Sequence, residues 1–195
     1  TSTKARCWKN CCKRVLRYKY YLGLNDYKPL GTDYAAIARE LNSPEAQALI
    51  KKLSAAAITV TRNEGGILPL GKLADRTFAV VSIGASKDNE FASTCSRYAR
   101  TNSYFTSGEA FSQASLAKIE KDDVVIAAVF SDNAAAHQAL AQLTAGSKPV
   151  VGVFMISPFK IRKFGESLKH LAAMVLAYDD IPAARQSAAE AIFGG

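Results

Sequence analysis

The sequence is poor in the residues that carry most catalytic and metal chemistry. It holds two histidines (His137 and His170), one tryptophan and four cysteines in 195 residues. Both histidines fall within helical patterns, and no Ser or Cys has a neighbouring His, so no nucleophile–base pair is visible. Cys7, Cys11 and Cys12 crowd one helical turn and a half, while Cys95 stands alone. No second pair answers the cluster, so zinc-ligand spacing is absent and the cysteines are expected to be small buried apolar side chains. No apolar run approaches the roughly 18 residues that a membrane span needs. There is no G-x-S-x-G elbow, no G-x-G-x-x-G fingerprint and no G-x-x-x-x-G-K-[ST] loop. A metal centre, a serine-hydrolase site, a nucleotide cradle and a bilayer-spanning segment are therefore not expected, and no cofactor is called for.

What is present is the composition of a globular protein: 49% apolar and 22% charged residues, with 12 Gly and 6 Pro. The net charge of +8 is unevenly spread. Residues 1–28 hold Lys4, Arg6, Lys9, Lys13, Arg14, Arg17, Lys19 and Lys28 against Asp26 alone, so they carry nearly all of the excess. A basic segment can bind phosphate or an anionic surface, but it is more often the solvated face of a helix. The chain opens on Thr1 without an initiator Met and closes on Phe193-Gly194-Gly195 straight after a helical pattern. Both ends read as cut, and the chain as a fragment of a longer protein.

Periodicity places a helix over residues 3–22, with Trp8, Cys11, Cys12, Val15, Leu16 and Tyr20 at three- and four-residue spacing. That apolar stripe is expected to find a covering surface, on the body of the chain or on a second copy. Gly23 ends the helix, and residues 25–42 form a linker with one helical piece around Tyr34 to Leu41. Ser43-Pro44-Glu45 starts a further helix that runs to Ala57. Residues 1–42 are thus a helix and linker, and residues 43–195 the main domain.

From residue 77 the pattern becomes regular. Short, nearly continuous apolar runs at Phe78–Ile83, Val124–Phe130, Val150–Ile156 and Ala173–Leu176 read as strands buried on both faces. A weaker strand covers Ser103–Thr106, and helices are expected over 88–99, 112–121, 133–145, 158–170 and 182–193. The alternation predicts an α/β, doubly wound, mostly parallel sheet of five to six strands with helices on both faces, preceded by the basic amphipathic helix. In such a sheet the carboxyl-end loops carry function, here Gly84-Ala85-Ser86-Lys87-Asp88, Ser131-Asp132-Asn133, Ser157-Pro158-Phe159 and Tyr178-Asp179-Asp180. The acid pairs Asp122-Asp123 and Asp179-Asp180 read as structural or solvated. The first lies at the amino end of its strand, and neighbours on a strand point apart. Ser107-Gly108-Glu109 precedes a helix, where an acidic residue is expected in any case.

The order of segments then resembles the C-terminal α/β-sandwich domain of glycoside hydrolase family 3. Val15-Leu16-Arg17-Tyr18-Lys19-Tyr20-Tyr21-Leu22-Gly23-Leu24 is similar to the family's R-I-L-R-x-K-F-x-L-G-L segment, which leaves the catalytic barrel. The run from Ala55 to Leu70, through Arg62-Asn63 and Leu68-Pro69-Leu70, is similar to A-x-x-S-I-V-L-L-K-N-x-x-x-L-L-P-L. Arg76 to Gly84 is similar to K-x-I-A-V-V-G, and Ala189-Glu190-Ala191-Ile192-Phe193-Gly194 to the closing A-x-A-L-F-G.

The resemblance implies that the parent protein is a retaining exo-glycosidase of the β-glucosidase and β-N-acetylglucosaminidase kind. Its nucleophile Asp would belong to an N-terminal TIM barrel of the same chain, its substrate would be a carbohydrate, and this fragment alone would be inactive. Some members supply the acid/base Glu from the loop after the strand that corresponds to Val124–Phe130. Here that loop reads Ser131-Asp132-Asn133, without a Glu, which points to the arrangement with an Asp–His pair on the barrel. No catalytic residue is therefore assigned, and Asp132 and Asn133 are the candidate substrate-binding residues. Thr61-Arg62 stands for the usual Leu-Lys, and Tyr178-Asp179-Asp180 for the usual tryptophan and glycine region. Some bacterial relatives continue into a C-terminal serine-hydrolase domain, and multidomain members are often periplasmic or exported. The alternative reading is a non-catalytic ligand- or protein-binding α/β module; a third, docking of nucleic acid or membrane through the basic helix, is not favoured.

Overall fold

The computed structural model describes residues 2–28, 31, 33–86, 88–107 and 109–195, and the side chains of residues 2–7 are not among what it describes. Pro29, Leu30 and Thr32 of the linker, Lys87, Gly108 and the Cys7 side chain lie outside the described residues. The chain divides into two units, Thr1–Ser43 and Pro44–Gly195.

The first unit holds α1 (Ser2–Tyr21) and α2 (Tyr34–Leu41). Asp33 caps α2, its Oδ1 accepting from the Ala35 and Ala36 amides. Along α1 the expected stripe is uncovered: Trp8 is 70% and Leu16 63% exposed. Cys11 is exposed as well and Cys12 half-buried, against the expectation of burial; among the described cysteine side chains only Cys95, in the second unit, is fully buried.

The second unit is a doubly wound sandwich. Its elements are α3 (Pro44–Ala57), β1 (Thr59–Asn63), β2 (Thr77–Ile83), α4 (Glu90–Tyr98), β3 (Arg100–Thr106), α5 (Gln113–Ile119) and β4 (Val124–Val129). There follow α6 (Ala134–Thr144), β5 (Val150–Phe154), α7 (Pro158–Ile161), β6 (Ala173–Leu176) and α8 (Pro182–Phe193). The six strands lie in the order β1-β6-β5-β4-β2-β3, all parallel except β1, which pairs antiparallel with β6. Val124–Val129 and Val150–Phe154 are buried at every position, the continuous apolar runs having predicted cover on both faces. One layer of core packs Phe78, Val80, Ile126 and Val153 against α4 and α8 through Phe91, Cys95, Ala188 and Ile192. The other packs Val81, Ile83, Ala127 and Phe154 against α6 through Ala139, Leu140 and Leu143.

Three local differences from the sequence reading have simple causes. The weak strand expected over Ser103–Thr106 begins at Arg100, since pairing with β2 extends it beyond its apolar residues. The helix expected over 158–170 is α only to Ile161; Arg162–His170 is 3₁₀ and is interrupted at Gly165, whose φ of 52° leaves the helical region. Between the helix that ends at Ala57 and the regular pattern from residue 77, where the sequence reading placed no strand, Thr59–Asn63 forms the antiparallel edge strand β1 by pairing with β6.

Candidate functional site at the carboxyl edge of the sheet

The winding reverses between β2 and β4, because β3 lies outside β2 on one side and β4 on the other. A crevice for ligands opens at this position in many open α/β sheets. Here Gly84, at φ +85°, follows β2 and donates its N–H to the Thr106 carbonyl at 2.7 Å. A Cβ built on Gly84 would lie 2.6 Å from the Ser131 Cβ, so the loops after β2 and β4 touch. The helix that follows β2 is closed to a phosphate in the same economical way. Buried Asn89 caps α4, its Oδ1 accepting from Ala92 N–H at 3.0 Å, while its Nδ2 donates to Ser82 Oγ and to the Ser86 carbonyl. The amide that would face a pyrophosphate is already satisfied, in keeping with the missing glycine fingerprint.

Asp132 and Asn133 sit just past β4, at the amino end of α6. Two lysines converge on Asp132: Lys163 Nζ donates to Oδ2 at 2.9 Å and Lys160 Nζ to Oδ1 at 3.3 Å. Both lysines follow β5, on α7 and the 3₁₀ turn, so the ion pairs tie two neighbouring carboxyl-end loops together. The hydrogen bond from Lys163 holds the Asp132 carboxyl below its ordinary range, with Lys160 acting the same way and partial burial opposing both. Asn133 is the N-cap of α6: its Oδ1 accepts from Ala136 N–H at 2.8 Å. One carbonyl oxygen of the candidate pair is thus committed to the helix. Asp132 keeps unused lone pairs and Asn133 its amide N–H groups, which suit hydroxyl groups of a ligand. Phe159, on the same edge, is 86% exposed.

A second polar group lies at the α4 and α8 side of this edge. Arg185 Nε donates to Asp180 Oδ1 and a terminal guanidinium nitrogen to Glu90 Oε2, both at 2.6 Å. Its guanidinium carbon stands 5.2 Å from the centre of the Phe130 ring. The Asp180 hydrogen bond is the largest cause raising the Arg185 pKa. Glu90 is held below its ordinary range, first by its own backbone N–H and then by Arg185. Asp179 turns back to the backbone, its Oδ1 accepting from Asp180 N–H at 2.8 Å. The other acid pair is structural too: Asp123 Oδ2 accepts from Thr77 N–H at 2.9 Å, and buried Asp122 accepts from Asn102 Nδ2 at 2.8 Å.

His137 packs its ring on Phe164, with centroids 4.3 Å apart, and its Nε2 has no hydrogen-bond partner among the described residues. No group of three potential metal ligands occurs among the described residues, and no described helix is long and apolar enough to cross a membrane. Lys160, Lys163, Glu90 and Arg185 were not legible as site residues. The i,i+3 spacing of the two lysines after Ser157-Pro158 is the sole local sign of the first group, and 95 residues separate Arg185 from Glu90.

In sequence alone the chain matches no family profile and no curated protein. In structure it is similar to a β-glucosidase from Listeria innocua, with a TM-score of 0.67 and 18% identity over 93% of this chain. A glycoside hydrolase family 3 β-N-acetylglucosaminidase from Paenibacillus gives a TM-score of 0.64 and 18% identity over 94% of this chain. A fungal multi-domain family 3 β-N-acetylglucosaminidase gives 0.62 and 20% over 77%. This chain spans 29%, 36% and 18% of those three chains. It therefore shares the fold of a part of these glycosidases, a six-stranded, mostly parallel α/β sandwich, as the segment order in the sequence led one to expect.

Proposed function

We propose that the chain is the accessory sandwich domain of a family 3 glycosidase, packed against a barrel domain that carries the catalytic nucleophile. The observation that supports this reading is the fold shared with a part of several such enzymes over more than nine-tenths of this chain. In this reading the carboxyl edge borders the sugar cleft, and Asp132 and Asn133 offer acceptors and donors to substrate hydroxyls. Retaining hydrolysis needs one carboxylate to attack the anomeric carbon and another to protonate the leaving oxygen. Asp132, held ionised by two lysines, is a poor proton donor, so in this reading the nucleophile Asp and an Asp–His proton donor both belong to the barrel.

The test has two arms. The purified chain should turn over neither a nitrophenyl β-glucoside nor a nitrophenyl β-N-acetylglucosaminide; turnover abolished by Asp132→Ala would overturn the assignment. Joined to its barrel, the protein should hydrolyse one of the two. Asp132→Ala should then raise KM about tenfold, the loss of one charged hydrogen bond, with a smaller change in kcat. An upstream sequence without a barrel would sink the proposal outright.

A further inference from the structure

We propose that β3 is a self-pairing edge, on which a second copy of this chain adds its own β3 in antiparallel register to make one continuous sheet. The strand lies at one end of the sheet and pairs with β2 alone. Its register with β2 is uninterrupted over seven residues, Arg100 to Thr106. Because Thr106 turns its carbonyl to Gly84, alternate residues back along the strand face β2. Thr101, Ser103 and Phe105 consequently turn their N–H and C=O groups outward. None of these outward groups has a hydrogen-bond partner among the described residues.

The opposite edge shows what protection looks like. Strand β1 is broken by a register shift between Val60 and Arg62, and the Arg62 guanidinium donates to the Leu168 carbonyl. Bulges and edge charges of this kind discourage strand addition. Strand β3 has no bulge, no Pro and no Lys, and its one charge is Arg100 at the first position. Phe105 is half exposed on it.

A second copy suits this edge because the strand is complementary to itself. Centred on Ser103, antiparallel pairing sets Thr101 opposite Phe105 of the second copy, twice over, and β-branched–aromatic pairs of this kind are favourable. The small Ser103 side chains meet at the two-fold axis. Arg100, at the basic start of one strand, runs toward the other copy's acidic end, where Glu109 is exposed. A two-fold, isologous contact closes on itself and stops at a dimer.

Sedimentation velocity on the full chain over a concentration series tests this, with hydrogen exchange read at Thr101, Ser103 and Phe105. The expected result is a dimer whose formation slows exchange at those three amides. Ser103→Pro removes an outward N–H but no β2 bond, and should weaken dimerisation at least tenfold; Phe105→Lys should do the same if the proline variant fails to fold. Leu16→Glu on α1 should leave the dimer intact. A monomer at every concentration would overturn the proposal. So would a dimer that survives both β3 substitutions, or one that is lost with Leu16→Glu alone.

Discussion

Gly84 and Ser131 meet at the point where the sheet reverses its winding, and they meet more closely than any side chain on Gly84 would allow. The glycine also stands at φ +85°. Both facts demand glycine there, one through backbone conformation and the other through space. Gly84→Ala should cost about 3 kcal/mol, from left-handed strain and overpacking together. Urea unfolding of the variant, with an unchanged m-value, is the measurement; a loss under about 1 kcal/mol would mean that the loops part easily.

The lysine clamp on Asp132 has a pH signature. A carboxyl whose folded pKa is depressed adds stability above its unfolded value, about 3.9 for Asp, and loses it as pH falls through the folded value. Wild-type stability should therefore decline below about pH 4. In Asp132→Asn that acid limb should be shallower while stability at pH 2 stays close to wild type. Chemical denaturation at half-unit pH steps would show it, and parallel curves would refute it.

Arg185 bridges carboxylates on two elements and covers Phe130, three contacts that one Lys cannot reproduce. Arg185→Lys should lower stability by about 1 kcal/mol, a modest figure because Glu90 and Asp180 are both well exposed. Half-molar salt should narrow the difference between variant and wild type without abolishing it, since the packing on the ring is insensitive to screening. Thermal unfolding at two salt concentrations reads this directly.

Burial pushes the Cys95 thiol far above the usual thiol range. Iodoacetamide on the native protein should label Cys11 and leave Cys95 unmodified until the sandwich unfolds. Peptide mapping by mass spectrometry distinguishes the two. Rapid native labelling of Cys95 would mean that α4 opens from the sheet on the minute timescale.

The sandwich was legible because its central strands are buried on both faces: Val124–Val129 has no polar position to confuse the period, and Phe78–Ile83 has only Ser82. The helix starts were placed close by, at 88 and 133, although Asn89 and Asn133 were not singled out there as the caps that they are. The site was less legible. Asp132 was singled out from its place after β4, yet its lysine partners come from a segment some 30 residues away that changes from α to 3₁₀ after Ile161. Arg185 sits in an alanine-rich helix with nothing beside it to mark its role, and its partners are set by topology. Local pattern carries the layers; pairing across loops depends on strand order.

Strand β1 is the first of the sheet in sequence and β6 the last, yet the two are neighbours, with Thr61 Oγ1 donating to the Met174 carbonyl 113 residues away. During synthesis, then, β1 emerges from the ribosome with its partner unmade. Helix α3 waits likewise for α8, against which it packs. Until the final stretch of chain arrives, β2 to β5 can assemble while the opening strand stays solvated. A nascent chain halted after α7 would hold β2 to β5, most of the parallel core, and have its amino-terminal segment still open to proteases.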